Sequence, residues 1–489
     1  MQAALGQKRN KNENIILAIV VLGPMMAAID STIVLLAFPT IVSGLNSNFL
    51  TIIWVILIYL LIITVFTTQL GRIGDIFGRA RIFNFGFLIF AISSFMCGLA
   101  NTDMFLIVSR GIQAIGGAMM AANSGAIIAD TFEPQRRGRA FGFTSLGWTV
   151  GAMLGIVLGG VITTFLGWRY IFFINVPIGI FAFILGWKYL VDNKTFQSKL
   201  DLRGMLLFGA AISLISYGAI NSIASILSVA DVLMILVGII ALISFIFLEL
   251  RTESPMLDLR QFKNRVLRSS LLAAFFQSLG YLVIVFLIIM YMQGIRGLSP
   301  LDASLILIPG YVVASSLAPI MGKLSDKVGS REIATIGIVF MCAAILIYLT
   351  LTPTVPSFIW IIIAASIASG IGSAMFFPAN NRAVMANAQT SSYGATNGLL
   401  RTLSSLGMMF SFVLVISIAA YAIPHATAFE VFLGSKTLIG NVSGAFMSGI
   451  YAALYVSLAI LVIAGILSVI RGKDNIPQSW SNGNNGSKK

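Results

Sequence analysis

Apolar positions in this chain fall into long uninterrupted runs separated by short polar stretches. Runs near 20 residues recur at 15–38, 50–69, 82–100, 104–128, 140–163, 170–190, 203–221, 230–249, 267–292, 301–321, 332–351, 357–378, 398–421 and 447–470. About 20 helical residues rising 1.5 Å each cover a hydrocarbon core about 30 Å thick. The pattern therefore predicts an all-α polytopic membrane protein with 14 transmembrane helices. The runs 203–221 and 230–249 are the hardest to separate, because the residues that join them are apolar.

Polar positions orient the helices. An even number of crossings puts both termini on one side, and the side richer in Lys and Arg is the cytoplasmic one. Of the 31 basic residues, 27 fall in the termini and loops of one side, among them Lys8, Arg72, Arg79, Arg137, Arg203, Arg260, Lys323, Arg382 and Arg471. The opposite loops hold Arg169, Arg296 and Lys436, and Arg110 lies inside a run. Both termini are thus expected to be cytoplasmic. The net charge of +14 becomes a topology signal, which argues against nucleic acid as a partner.

Composition adds little beyond excluding soluble classes. Residues are 58% hydrophobic and 10% charged, where a soluble chain carries about 25% charged. The first run is no cleavable leader, since it is long, contains Asp30 and ends in Phe38-Pro39-Thr40. Cys97 and Cys342 sit in apolar runs and the sole histidine, His425, has no Cys or His around it, so no disulfide framework, metal or cofactor is expected. An enzyme is disfavoured for the same want of acid–base and nucleophile constellations.

The chain repeats itself. Gly71-Arg72-Ile73-Gly74-Asp75-Ile76-Phe77-Gly78-Arg79 follows the second run, and Gly322-Lys323-Leu324-Ser325-Asp326-Lys327-Val328-Gly329 follows the tenth, 251 residues later. Ile115-Gly116-Gly117-Ala118-Met119 is echoed by Ile371-Gly372-Ser373-Ala374-Met375. The expected organisation is a cytoplasmic N-terminus (1–14), a six-helix bundle (15–195), an extra helix pair (196–250), a second six-helix bundle (265–470) and a tail (471–489) that is disordered from Asp474. Parallel repeats of this kind build transporters that bind substrate at the midplane between the halves.

Two charges lie inside runs. A carboxylate at helix centre costs about 2.5–3.5 kcal/mol on insertion scales, so Asp30 is a functional candidate by default. Arg110 is as costly, and with Gln113 and Gly117 it shares one helix face. Asp30 lies eight residues and Arg110 six from the outer ends of their runs, about 9–12 Å deep at 1.5 Å per residue, which makes them partners by depth. An arginine snorkelling outward is the alternative. In the loop Gly71–Arg81, glycines permit a sharp turn and close approach. Asp75 is expected to accept N–H bonds at a helix N-terminus, and Arg79 and Arg81 to pair with Asp75 or Asp130. Gly147, Gly151, Gly155, Gly159 and Gly160 make a smooth ridge for close helix packing, with packing alone and a part in gating both open.

These residues resemble the major facilitator superfamily, in its fourteen-helix drug:proton antiporter (multidrug efflux) branch. Gly71–Arg81 is similar to the superfamily loop after helix 2, Arg110-Gly111-Ile112-Gln113 to the helix 4 motif linked to proton transfer, and Asp30-Ser31-Thr32 to the branch's helix 1 motif. Trp168-Arg169-Tyr170-Ile171-Phe172-Phe173-Ile174-Asn175-Val176-Pro177-Ile178-Gly179 is the most branch-specific match. The helix 5 antiporter motif departs at Ile156, where the family pattern has proline. The resemblance implies two six-helix bundles with an extra central pair. It further implies proton coupling at Asp30 and Arg110, and a cytoplasmic gate of Gly71, Asp75, Gly78, Arg79, Asp130 and Asp326. Substrate-cavity positions would be Gln113, Gln277 and Tyr281, the last 251 residues after Asp30, and Gly151, Gly155, Gly159 and Gly160 would serve helix packing or gating. The implied activity is export, in the cell membrane and as a monomer, of a lipophilic cationic small molecule against protons. A metabolite or organic-anion carrier of the same fold, or a non-transporting membrane sensor, stands as the alternative.

Overall fold

The computed structural model describes residues 2–132, 134–192, 200–224, 228–388, 393–421 and 441–472. The tail from Asp474, and His425, lie outside them. In hydrocarbon every backbone N–H and C=O needs an internal partner, which leaves the helix as the economical spanning form. The helices are α1 (Gln2–Gly44), α2 (Phe49–Phe77), α3 (Arg79–Gly98), α4 (Asp103–Thr131), α5 (Pro134–Phe165) and α6, which comes in two segments (Tyr170–Phe173 and Asn175–Tyr189). They continue with α7 (Leu202–Ala224), α8 (Val229–Arg251), α9 (Arg265–Met290, running on as a π turn to Ile295) and α10 (Pro300–Val328). The last four are α11 (Ser330–Tyr348), α12 (Phe358–Ala386), α13 (Tyr393–Tyr421) and α14 (Asn441–Ile470). All 14 contain a stretch long and apolar enough to cross a membrane.

Sequence signals place the ends. Asn48, Thr102 and Ser299 accept N–H bonds from Thr51, Phe105 and Asp302 at the starts of α2, α4 and α10. Ser228 and Asp231 form a reciprocal capping box at α8. Two joints need glycine. Gly78, between α2 and α3, has φ +108°, and Gly329, between α10 and α11, has φ +114°. A side chain is strained there, and the two glycines occupy matching places in the repeat.

Helices α1–α6 pack on one another, as do α9–α14. The pair α7–α8 rests on α2 and α13 through α7. On α8 the buried residues are Asp231, Gly238, Phe245 and Glu249, a single stripe. Its other faces expose Leu233, Val237, Ile240 and Phe247, as a helix solvated by lipid does. The halves meet along α5–α10 and α2–α13. At the end remote from the termini, Gln293 donates to the Leu36 carbonyl at 3.0 Å, Leu301 N–H to Thr164 Oγ1 at 3.2 Å, and the rings of Phe38 and Phe286 meet edge-on at 5.3 Å. At the opposite, basic end Thr68 and Thr402 hydroxyls lie 3.4 Å apart.

Candidate functional site

Asp30 sits on α1, facing α4 and α6, with 0% of its surface exposed, and Arg110 on α4 is 1% exposed. Arg110 Nη1 lies 2.5 Å from Asp30 Oδ2. The same guanidinium donates to Gln113 Oε1 at 2.5 Å and, through Nε, to the Val55 carbonyl of α2 at 3.1 Å. Its flat face covers the Tyr59 ring at 4.4 Å from the centroid, so charge, fork and plane all have partners. Gln113, one turn on from Arg110, donates Nε2 to Asp30 Oδ1 at 3.0 Å and to Ser94 Oγ at 2.7 Å. Asn175 Nδ2, where the two segments of α6 meet, reaches Asp30 Oδ1 at 3.3 Å. A buried charge persists only where it is paired and hydrogen-bonded, and this carboxylate accepts from three side chains on two helices. Gln113, expected as a cavity lining, is a member of this cluster and wholly buried.

The glycines of α5 hold α1 in place. A Cβ added at Gly151 would stand 2.5 Å from the Met25 carbonyl oxygen, and one at Gly155 2.0 Å from Thr32 Oγ1 and 2.6 Å from the Ile29 carbonyl oxygen. Thr32 Oγ1 bonds across the seam to the Ala152 carbonyl at 3.1 Å. Gly159 is looser, its nearest atom 3.2 Å away, and Gly160 faces α10 at Ser304 and the Pro300 carbonyl. Ile156, in place of the proline of the family pattern, is wholly buried in an unbroken helix.

At the basic end Arg79 bridges two carboxylates, Asp75 at 2.6 Å and Asp130 at 2.9 Å. The expectation that Asp75 caps a helix needs correction. Asp192, after α6, does so, accepting from Ala80 N–H at 2.7 Å and Arg81 N–H at 3.1 Å. Asp75 is turned toward Arg79 one helical turn away, and Arg81 contributes its backbone to this end. Space demands glycine at Gly74, where Asn123 Oδ1 would meet a Cβ at 1.9 Å, and at Gly78, but at Gly71 the nearest atom is an ordinary 3.6 Å away. The side chain of Asp326 lies outside the described residues. In the second repeat Arg382 donates to the Ser325 carbonyl, while Arg471, wholly buried, donates to Asn380 Oδ1 at 3.2 Å and Ser330 Oγ at 3.1 Å.

Gln277 and Tyr281 lie on α9 in the other half, both buried. Gln277 Nε2 touches Met341 Sδ at 3.7 Å and its Oε1 has no partner. The structure does not bring these two residues to Asp30. Among the described residues no group of three His, Cys, Asp or Glu is placed to hold a metal ion.

The Major Facilitator Superfamily model matches residues 20–412. The chain belongs to that superfamily. The riboflavin transporter RibZ of Clostridioides difficile is 30% identical over 442 residues, covering 88% of this chain and 94% of that protein. Multidrug resistance protein 3 of Bacillus subtilis is 28% identical, covering 79% of this chain and 76% of its own. Among solved structures, a bacterial homologue of the human lysosomal transporter Spinster superposes with TM-score 0.63 at 18% identity, over 94% of this chain and 97% of that one. This major facilitator chain is therefore a multi-pass transporter related both to multidrug resistance proteins and to a metabolite carrier.

Sequence reasoning missed Asn175, Ser94, Tyr59 and Asp192. Asn175 carried one usable signal, an amide in the apolar run 170–190, and Asp192 carried none beyond being an acid after a span.

Proposed function

We propose that this transporter couples proton movement to the export of lipophilic, cationic small molecules, with Asp30 as the proton site and Arg110 as its exchangeable partner. The supporting observation is the wholly buried Asp30–Arg110 pair, 2.5 Å apart, inside two apolar helices of a protein built from two repeats. One carboxylate can hold a proton, the guanidinium or a cationic substrate, but only one of them at full strength. Arg110 keeps the Gln113 and Val55 oxygens and the Tyr59 face as alternative partners when a proton discharges Asp30. Each charge moved across the membrane draws about 2.3 kcal/mol per 100 mV, a sufficient drive. The basic end, with Arg79 between Asp75 and Asp130, would be the cytoplasmic gate of a cell-membrane protein acting as a monomer.

A second reading, transport of a metabolite such as a flavin, is favoured by the resemblance to RibZ. Gln277 Oε1, buried and unpartnered, would then be a substrate contact. Arg110 does not serve as an anion site in this state, since Asp30 and two further oxygens already occupy it. Proteoliposomes with an imposed pH gradient separate the readings. Proton-coupled movement of ethidium that Asp30→Asn abolishes supports the first, and gradient-driven movement of riboflavin without ethidium flux supports the second. Full coupling in Asp30→Asn removes Asp30 from either scheme.

A further inference from the structure

We infer that Asn175 is a positioning residue that lets Asp30 change protonation state without stranding a buried polar group. The inference rests on the reading of Asp30 as the proton site. Asn175 is wholly buried, and it lies where the two segments of α6 meet, next to Ile174. Its side chain reaches across to α1, where Nδ2 donates to Asp30 Oδ1 at 3.3 Å. Its other end, Oδ1, is buried with no partner.

Such an orphan acceptor costs about 1–3 kcal/mol, which is unexplained if the cluster has one state. It is explained if the cluster has two. A carboxylate only accepts, whereas a protonated carboxyl also donates, and a side-chain amide carries one group of each kind. With Asp30 ionised, Nδ2 faces it. With a proton on Asp30 Oδ1, half a turn of the amide presents the carbonyl oxygen to that O–H. Two further oxygens of the cluster are engaged: Gln113 Oε1 takes the Arg110 fork and Ser94 Oγ takes Gln113 Nε2. The ionisable groups that face Asp30 are Arg110 from α4, Tyr59 from α2 and Cys97 from α3. Tyr59 makes no hydrogen bond to Asp30, and α5 offers glycines on this side. The proton arrives from water on one side, forms one O–H bond on Asp30, and leaves to water on the other.

The test uses the full chain in proteoliposomes, with ethidium as probe and the rate of proton-coupled flux measured across pH. Asn175→Ala removes an open acceptor from the neutral form, and from the ionised form only the longest of its three contacts, at 3.3 Å, leaving Arg110 at 2.5 Å and Gln113 at 3.0 Å. The pH midpoint is therefore expected to move to lower pH by about one unit, a tenfold change in proton affinity. Asn175→Ser, whose hydroxyl both donates and accepts but ends one bond short of the amide nitrogen, is expected to restore part of the shift. A merely structural role lowers the rate or the melting temperature and leaves the midpoint in place. An unmoved midpoint in Asn175→Ala, with Asp30→Asn uncoupled, overturns this inference alone. Full coupling in Asp30→Asn overturns the reading beneath it. Should Asn175→Ala not fold, infrared difference spectra of Asn175→Ser between acid and neutral pH replace it. The carboxyl C=O band that Asp30→Asn removes must shift in the Ser variant, and an unshifted band refutes the contact.

Discussion

Replacing Gly155 by alanine adds one carbon at the seam between α5 and α1. That carbon would lie 2.0 Å from Thr32 Oγ1, 2.6 Å from the Ile29 carbonyl oxygen and 3.0 Å from Ile29 Cα. The threonine hydroxyl can rotate away, but the Ile29 backbone cannot. An ordinary C···O contact is about 3.3–3.6 Å, so the helices must part by about 0.7–1 Å. Overpacking of this kind costs about 1–3 kcal/mol. Losing the Thr32 bond to Ala152 adds about 1 kcal/mol. The better helix propensity of alanine returns about 1 kcal/mol. The net is a destabilisation of about 1–3 kcal/mol, with Asp30, the next residue after Ile29, carried off its partners. Gly465→Ala on α14 is the control, because its nearest atom is an ordinary 3.5 Å away. That variant is expected to be as stable as the parent or slightly better. The assay is thermal unfolding in detergent, read by thiol-reactive dye at Cys97, which is wholly buried, in a Cys342→Ala background. If Gly155→Ala melts with the parent, or both alanine variants fall equally, the close-packed seam is refuted.

Further outcomes follow from the polar clusters. Asp30→Asn and Arg110→Leu should each destabilise by about 3–5 kcal/mol, because each strands one partner of a buried ion pair. The double variant should lose less than the sum of the two by about 0.5–3 kcal/mol in the same melting assay, and strict additivity would deny the contact. At the basic end Glu249 accepts the N–H groups of Met256 and Leu257 at 3.1 and 3.2 Å, and Asp201 shares the Met256 N–H at 3.2 Å. This fixes the loop whose Ser254 and Pro255 carbonyls take the Arg72 guanidinium. Glu249→Ala leaves the Leu257 N–H without its carboxylate and the Met256 N–H with Asp201 alone, at a cost of about 1–3 kcal/mol. Limited proteolysis should then cut residues 252–258 faster, with Glu249→Gln between it and the parent. Equal cutting rates in all three would show that the loop is held by something else.

Much of this protein could be read from the chain alone. Run length decides the helices, because a bilayer core of fixed thickness demands about 20 apolar residues and satisfies no loose backbone. The repeat at Gly71 and Gly322 marked the two joints, since no other residue tolerates the φ of Gly78 and Gly329. Depth along a helix rises linearly with residue number, so counting residues sets Asp30 and Arg110 at one level. The rotation of each helix and the identity of its neighbours are another matter, because in an all-apolar helix every face looks alike. Only the packed structure put Asn175 and Gln113 beside Asp30, buried Gln277 against Met341, and gave the start of α3 to Asp192 in place of Asp75. Such contacts join residues 80 to 145 positions apart around the site, and they depend on side-chain reach of a few ångströms, a scale that linear pattern does not encode.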